Sequence, residues 1–248
     1  HTPVANGYYI YPSTEKIKKL RKNIIELVLS DYPSGRIHPE AGKLPTEFQK
    51  VIASIGIPVV RYPEDSQVTK THPDRSHPYV WSDLDECIKC YRCVRACDEL
   101  QSEHVLGIAG RGFESRIIKG ADTDFISSGC VSCGACVQTC PTNAISDRYG
   151  TKTVIPDKVV RTTCTYCGVG CNLEVKVADG EVKGIEAPVD AAVNRGHTCL
   201  KGRFAFEFYK HPDGLTKPLV KRNGSFEETT WDEAYDHIVS RPSDLRGK

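Results

Sequence analysis

Twelve cysteines in three groups of four constrain this chain more than any other feature. Cys87, Cys90, Cys93 and Cys97 are spaced C-x2-C-x2-C-x3-C, and Cys130, Cys133, Cys136 and Cys140 repeat that spacing with Pro141 directly after. Cys164, Cys167 and Cys171 follow C-x2-C-x3-C, and Cys199 arrives 28 positions later. Twelve cysteines in 248 residues is about twice the usual frequency, while apolar residues make up only 39%. The middle of the chain therefore depends on what the cysteines bind.

Disulfides are a poor use of these residues, because cysteines three positions apart seldom reach bridging geometry and a long chain with helices needs no staples. Structural zinc favours paired C-x2-C knuckles separated by a dozen or more residues and has no use for a third cysteine three positions on. Three cysteines within seven residues instead wrap a loop round a polynuclear centre, and in the bacterial ferredoxin pattern the fourth ligates the other cluster. The expected sets are Cys87, Cys90, Cys93 and Cys140 on one [4Fe–4S] cluster, and Cys130, Cys133, Cys136 and Cys97 on a second. Asp98, rather than proline, follows Cys97, so the twofold repeat is imperfect. Cys164, Cys167, Cys171 and Cys199 suffice for a third cube, with zinc open as an alternative on spacing alone.

The remainder is read from its periodicity. Ile17, Leu20, Ile24, Leu27 and Val28 recur at helical spacing between Ser13 and Ser30, with Lys16, Lys18, Lys19, Arg21 and Lys22 on a solvated face. Ser13 or Thr14 caps this helix, and Asp31-Tyr32-Pro33 stops it. A second short helix is predicted over Thr46 to Ile55, ending at Gly56. Pro58, Pro63, Pro73 and Pro78 mark a linker without regular structure. Short strands are expected around Arg111-Gly112, with Gly107, Gly110 and Gly112 as turns. Leu173 to Val177 alternates strictly, turns at Asp179-Gly180 and returns through Ile185 as a hairpin. Trp231 to Ala234 reads as a helix start.

Lys+Arg 33 against Asp+Glu 32 leaves a formal charge of +1, so no basic field selects nucleic acid or an anionic membrane. No apolar run approaches the ~20 residues that span a bilayer. The chain has no Met, even at position 1, which reads as a fragment or a processed protein. Reduced thiols and clusters favour the cytoplasm.

Cys199-Leu200-Lys201-Gly202-Arg203-Phe204, followed by Leu215-Thr216-Lys217-Pro218-Leu219 and Trp231-Asp232-Glu233-Ala234, resembles the iron–sulfur domain that opens molybdopterin-dependent oxidoreductases. The module order, with Leu29-Ser30-Asp31-Tyr32-Pro33 ahead of the two ferredoxin motifs, is similar to the N-terminal iron–sulfur region of formate dehydrogenase catalytic subunits. Related modules occur in the large iron–sulfur subunit of NADH dehydrogenase. The resemblance implies an α+β chain in five parts: an N-terminal helical segment (1–57), a linker (58–83), a two-cluster bacterial-ferredoxin-like domain (84–150), a small β-rich [4Fe–4S] domain of the molybdopterin oxidoreductase type (160–214), and the truncated start of a molybdopterin-binding domain (215–248).

It further implies a bis-molybdopterin guanine dinucleotide carrying molybdenum or tungsten in the full-length protein, oxidation of formate to carbon dioxide, and partners that are other redox subunits of a complex. Lys201 matches the lysine between cubane cluster and pterin, an electron relay. Many relatives carry a His-x3-Cys-x2-Cys-x5-Cys site after the first helix. Here Tyr32-Pro33-Ser34-Gly35-Arg36 stands instead, so the first segment is a cluster-free remnant of that module. The family's metal ligand falls beyond Lys248, so no catalytic residue is expected in this fragment. Two alternatives remain: a non-catalytic iron–sulfur subunit of an NADH dehydrogenase- or hydrogenase-type complex, and a zinc-stabilised interaction module. His197 is expected to play a supporting or surface role, since four cysteines fill the third site. Lys89, Arg92 and Arg95, interspersed in the first motif, predict a higher reduction potential for the Cys87 cluster than for the Cys130 cluster.

Overall fold

The computed structural model describes residues 3–57, 61–62 and 72–245, with side chains as far as residue 240. It divides into two units, His1–Ala205 and Phe206–Lys248, and each mixes short helices with small antiparallel sheets.

The first unit opens with α1 (Glu15–Leu29), capped by the Thr14 hydroxyl, which accepts from the Ile17 N–H at 3.3 Å. α2 (Glu47–Ile55) begins with a capping box between Thr46 and Gln49 and ends at Gly56. Lys16, Lys18, Lys19 and Arg21 are exposed, as their pattern predicts. The apolar stripe of α1 is a correction, however. Leu20, Ile24 and Leu27 are half or more exposed, whereas Glu26 and Leu29 are buried. Leu29 joins Tyr32, Phe48 and Ile52 in a small core, with Ile25 and Val28 packed against it, and the Arg61 guanidinium bonds the Glu26 carboxylate. The docking of α2 and Tyr32 selects the buried face, and the ion pair offsets the cost of a buried carboxylate.

Much of the 58–83 linker lies outside the described residues. Its end carries β1 (Val80–Ser82), which pairs antiparallel with β4 (Ile145–Asp147). Between them lie α3 (Arg92–Arg95), β2 (Leu106–Ala109), β3 (Arg116–Lys119) and α4 (Ala135–Thr139). β2 and β3 pair antiparallel, with Gly110 and Gly112 at positive φ in their turn and Gly107 inside β2 rather than in a turn. A Cβ on Gly110 would stand 2.4 Å from the Glu114 carbonyl oxygen. The β1–β4 sheet takes one strand from before the first cysteine motif and one from after the second, so the halves interlock. Val80, Leu106, Ile117, Phe125, Val137 and Ile145 fill the core between them.

Asp74 ties the segment before β1 to this core. Burial pushes its carboxyl up, but hydrogen bonds from Lys119, Ser76 and the Phe125 N–H prevail and hold it well below the usual carboxylate range.

β5 (Lys158–Thr163), β6 (Asn172–Ala178) and β7 (Glu181–Glu186) form an antiparallel sheet in that order. The predicted hairpin is β6–β7. β5, rich in β-branched residues but without clean alternation, escapes the sequence pattern. The β6–β7 register shifts between Lys176 and Val177, where Lys183 of β7 is the extra residue. Lys176 is buried, and its ammonium bonds the Thr151 carbonyl at 2.7 Å and Glu186 at 3.0 Å. α5 (Leu200–Phe204) follows Cys199 directly.

The second unit holds the hairpin β8 (Leu219–Arg222) and β9 (Ser225–Glu228), and then α6 (Trp231–Leu245), where the sequence predicts a helix start. Among the described residues no helix is long and apolar enough to cross a membrane.

Candidate metal centres

The two ferredoxin motifs share one backbone conformation. Lys89 and Tyr91 have φ of 54° and 58°, and the matching Ser132 and Gly134 have 60° and 72°. These left-handed residues fold each C-x2-C-x2-C loop back on itself. The Lys89 N–H thereby points at Cys87 Sγ and the Ser132 N–H at Cys130 Sγ, both at 3.4 Å. After the third cysteine the copies diverge. Pro141 cannot continue a helix, and α4 ends at Thr139; Asp98 can, and the chain runs on through a π-helical turn, Ala96–Leu100.

Cys140 lines one cavity with Cys87, Cys90 and Cys93, walled by Leu84, Ile88, Ile117 and Ile145, and its sulfur accepts from the Ile145 N–H at 3.4 Å. Burial, helped by neighbouring thiols, pushes Cys87 up to about 11 and Cys93 up to about 12. Cys130 is raised by burial and then by Cys133 and Cys97, and Cys133 by burial and then by Cys97, with Arg203 acting against it. The fully buried Cys136 senses Cys133, Cys130, Cys97 and also Cys93. The two thiol groups are therefore neighbours.

Cys164 follows β5 and Cys171 precedes β6, so their loop carries three cysteines, closed by the Cys164 N–H to the Cys171 carbonyl at 2.8 Å. Asn194 brings in the fourth. Its Oδ1 accepts from the Asn172 N–H at 2.8 Å, and its Nδ2 donates to the His197 carbonyl at 2.5 Å. Cys171 is raised by burial and by Cys164, Cys167 and Cys199. Cys167 and Cys199 are exposed. His197 stands with its Nδ1 3.4 Å from Gln101 Nε2. Lys201 lies exposed on α5.

In the first set, four thiols round a shared cavity, with the Lys89 and Ile145 N–H groups aimed at sulfur, suit a [4Fe–4S] cube. Neutral thiols crowded and buried in this way need a cationic centre before they deprotonate. Among the described residues no three His, Cys, Asp or Glu side chains converge on a position for a single ion.

The charge expectation needs correcting. Lys89 pairs with Asp31 at 2.5 Å, Arg92 grips Glu47 at 2.8 and 2.9 Å, and Arg95 grips Glu99 at 2.8 and 3.1 Å. Each cation in the first motif is neutralised by a carboxylate outside it, which removes the asymmetry on which the higher Cys87 potential rested. The N-terminal segment supplies Asp31 and Glu47, and its core receives Ile88 from between the ligands. It thus acts as a cover for the first motif.

Two residues escaped sequence reasoning. Arg203 is buried, and its Nε donates to the Cys133 carbonyl at 2.9 Å. Burial lowers its pKa, while the Cys133 and Cys136 thiols act in the opposite direction. Beside it, Phe204 stacks on Tyr79 at 5.1 Å and is 2% exposed, so α5 is rooted in the ferredoxin-like core.

His77, the other, is buried. Its Nδ1 accepts from the N–H groups of Tyr79 at 3.1 Å and Val80 at 3.0 Å, so Nε2 carries the hydrogen, 2.9 Å from Ser132 Oγ. Burial lowers its pKa, opposed by Asp74. The folded state therefore holds His77 neutral, and the unfolded chain takes up a proton below about pH 6.5. The resulting stability is complete above that pH and falls as pH drops toward the lowered folded value. Denaturant midpoints at pH 8 and pH 5.5 should fall more for the wild type than for His77→Gln, which is itself about 1–2 kcal/mol less stable at pH 8. Equal pH slopes would remove His77 from this role.

Residues 86–144 match the 4Fe-4S dicluster domain, and residues 157–211 match the molybdopterin oxidoreductase Fe4S4 domain. The chain therefore carries two segments similar to iron–sulfur domains, the second of the kind named for molybdopterin oxidoreductases. Among individual proteins, "Probable oxidoreductase YjgC" of Bacillus subtilis is 32% identical over 215 residues, 71% of this chain and 22% of that protein. An NADH-quinone oxidoreductase subunit of Rhizobium meliloti is 29% identical over 252 residues, 100% of this chain and 29% of that protein. A Staphylococcus aureus protein named "Putative formate dehydrogenase" is 31% identical over 211 residues, 69% of this chain and 21% of that protein. The chain thus spans less than a third of the length of these relatives.

Proposed function

We propose that this chain conducts electrons through three [4Fe–4S] clusters to or from a molybdopterin active site, as the iron–sulfur part of a formate dehydrogenase-like oxidoreductase working with other redox subunits in the cytoplasm. The observation that carries the reading is the continuity of the thiol sets: Cys93 and Cys136 are neighbours, and the helix that follows Cys199 is inserted beside Cys133. When bound, the clusters supply one-electron transfer. The chain's own residues hold and shield them. Cys87, Cys90, Cys93 and Cys140 take the first, Cys130, Cys133, Cys136 and Cys97 the second, and Cys164, Cys167, Cys171 and Cys199 the third. The N–H groups of Lys89, Ser132 and Ile145 donate to thiolate sulfur, and Ile88, Ile117 and Ile145 exclude water from the first site. Lys201, exposed two positions after Cys199, is the relay toward the pterin.

A second reading, an iron–sulfur subunit of an NADH dehydrogenase-type complex, is favoured by one observation. The likeness to the Rhizobium protein runs the whole length of the chain, including the N-terminal segment. Metal analysis and anaerobic reduction of the purified holoprotein decide between them. About twelve irons for these three sites, with molybdenum or tungsten and bleaching by formate that Lys201→Ala slows without loss of iron, is the expected result. Iron without molybdenum or tungsten and without a response to formate selects the second reading. Zinc without sulfide overturns both.

A further inference from the structure

We propose that Arg203 is the internal counter-charge of the second cluster: its Nη2 donates to a sulfur of the centre held by Cys130, Cys133, Cys136 and Cys97 and raises that centre's reduction potential. The inference rests on the iron–sulfur reading above. Its starting point is an orphan. Arg203 is 4% exposed, and its Nη2 is buried with no hydrogen-bond partner among the described residues. A guanidinium donor left unpaired away from water is costly, so the pocket is built for an acceptor that the polypeptide does not supply.

The direction of the side chain indicates what that acceptor is. Nε is fixed on the Cys133 carbonyl at 2.9 Å, within the ligand loop itself, which places the guanidinium at the Cys133 and Cys136 thiols. The loop is also cleared for it. Gly134 has φ of 72°, and a Cβ there would stand 2.3 Å from Arg203 Cδ.

Charge compensation at this place differs from that in the first motif. Lys89, Arg92 and Arg95 are each neutralised by a carboxylate. Lys152, near Cys140, donates to the Cys140 carbonyl and has Glu47 and Glu186 about it. Asp147 and Glu186 also act on Arg203, but Asp147 Oδ1 is committed to the Tyr149 and Thr151 N–H groups and the Thr151 hydroxyl. Were the second centre to take up one electron, no bond would break and it would gain one negative charge. A fixed cation at its sulfur favours that state. Arg203 also links the two centres, because its own N–H donates to the Cys199 carbonyl at 3.2 Å while its Nε donates to Cys133. The third module is thereby tied by hydrogen bonds to the loop of the second site.

The test is an anaerobic redox titration of the holoprotein, followed by EPR, for wild type, Arg203→Gln and Arg203→Lys. Arg203→Gln should disfavour reduction of the second cluster at least tenfold, about 59 mV for a one-electron couple, and leave the first and third unmoved. Arg203→Lys should recover part of the shift. Selective loss of the second cluster in the glutamine variant also supports the contact. Unchanged potentials, an equal shift in all three clusters, or collapse of all three overturns it. Wild-type protein without iron and sulfide overturns the iron–sulfur reading itself, and this inference with it.

Discussion

Cys97→Ala is expected to empty the site built around Cys130, Cys133 and Cys136, although Cys97 belongs to the first motif in sequence. The π-helical turn Ala96–Leu100 carries Cys97 past its own loop to Cys130, Cys133 and Cys136, while Cys140 shares a cavity with Cys87, Cys90 and Cys93. Removing one thiolate of four should cost about four irons per chain, or convert that centre to a smaller cluster. The EPR spectrum of Cys97→Ala should therefore match that of Cys133→Ala, and that of Cys140→Ala should match Cys90→Ala. The opposite pairing of spectra sinks the crossed assignment.

Gly134→Ala should be strongly destabilising. The left-handed φ of 72° strains any side chain by about 1–2 kcal/mol. The added Cβ would also meet Arg203 Cδ at 2.3 Å and Phe204 Cζ at 2.9 Å, and over-packing of this kind adds about 1–3 kcal/mol. Gly180, in the β6–β7 turn, is the matched control, with φ of 74° and open space round its Cβ position. Gly180→Ala should show the strain alone. Denaturant unfolding under anaerobic conditions compares the two, and equal losses would mean that α5 does not press on the Cys133 loop. Because the nearest clash is with Arg203 Cδ, part of the Gly134→Ala cost should disappear in an Arg203→Ala background, which removes that atom.

The parts of this protein legible in its sequence are those governed by short-range geometry. Helix caps at Thr14 and Thr46, the stop at Gly56, the β6–β7 turn and the shape of each C-x2-C-x2-C loop follow from residues within a few positions of one another. For such features local torsional preference outweighs distant packing. Cysteine spacing likewise carried the chemistry of the chain, because three thiols must fall within one loop to reach one polynuclear centre.

What only the tertiary structure decided involves partners far apart in the chain. Periodicity alone puts Leu20, Ile24 and Leu27 of α1 inward. The docking of Tyr32, Phe48 and Ile52 turned the helix to bury Leu29 and Glu26 instead. Alternation marks Lys176 of β6 as a polar position, yet it is buried, because Thr151 and Glu186 supply partners for its ammonium. The basic residues of the first motif read as counter-charges until Asp31, Glu47 and Glu99 were found gripping them. Arg203 and Phe204 look like ordinary residues after a cysteine, yet α5 inserts them into a core whose other walls lie at Tyr79, Cys133 and Gly134. No local pattern encodes such contacts. Burial and ion pairing across long loops are decided by which surfaces meet, and that is settled only when the whole core closes.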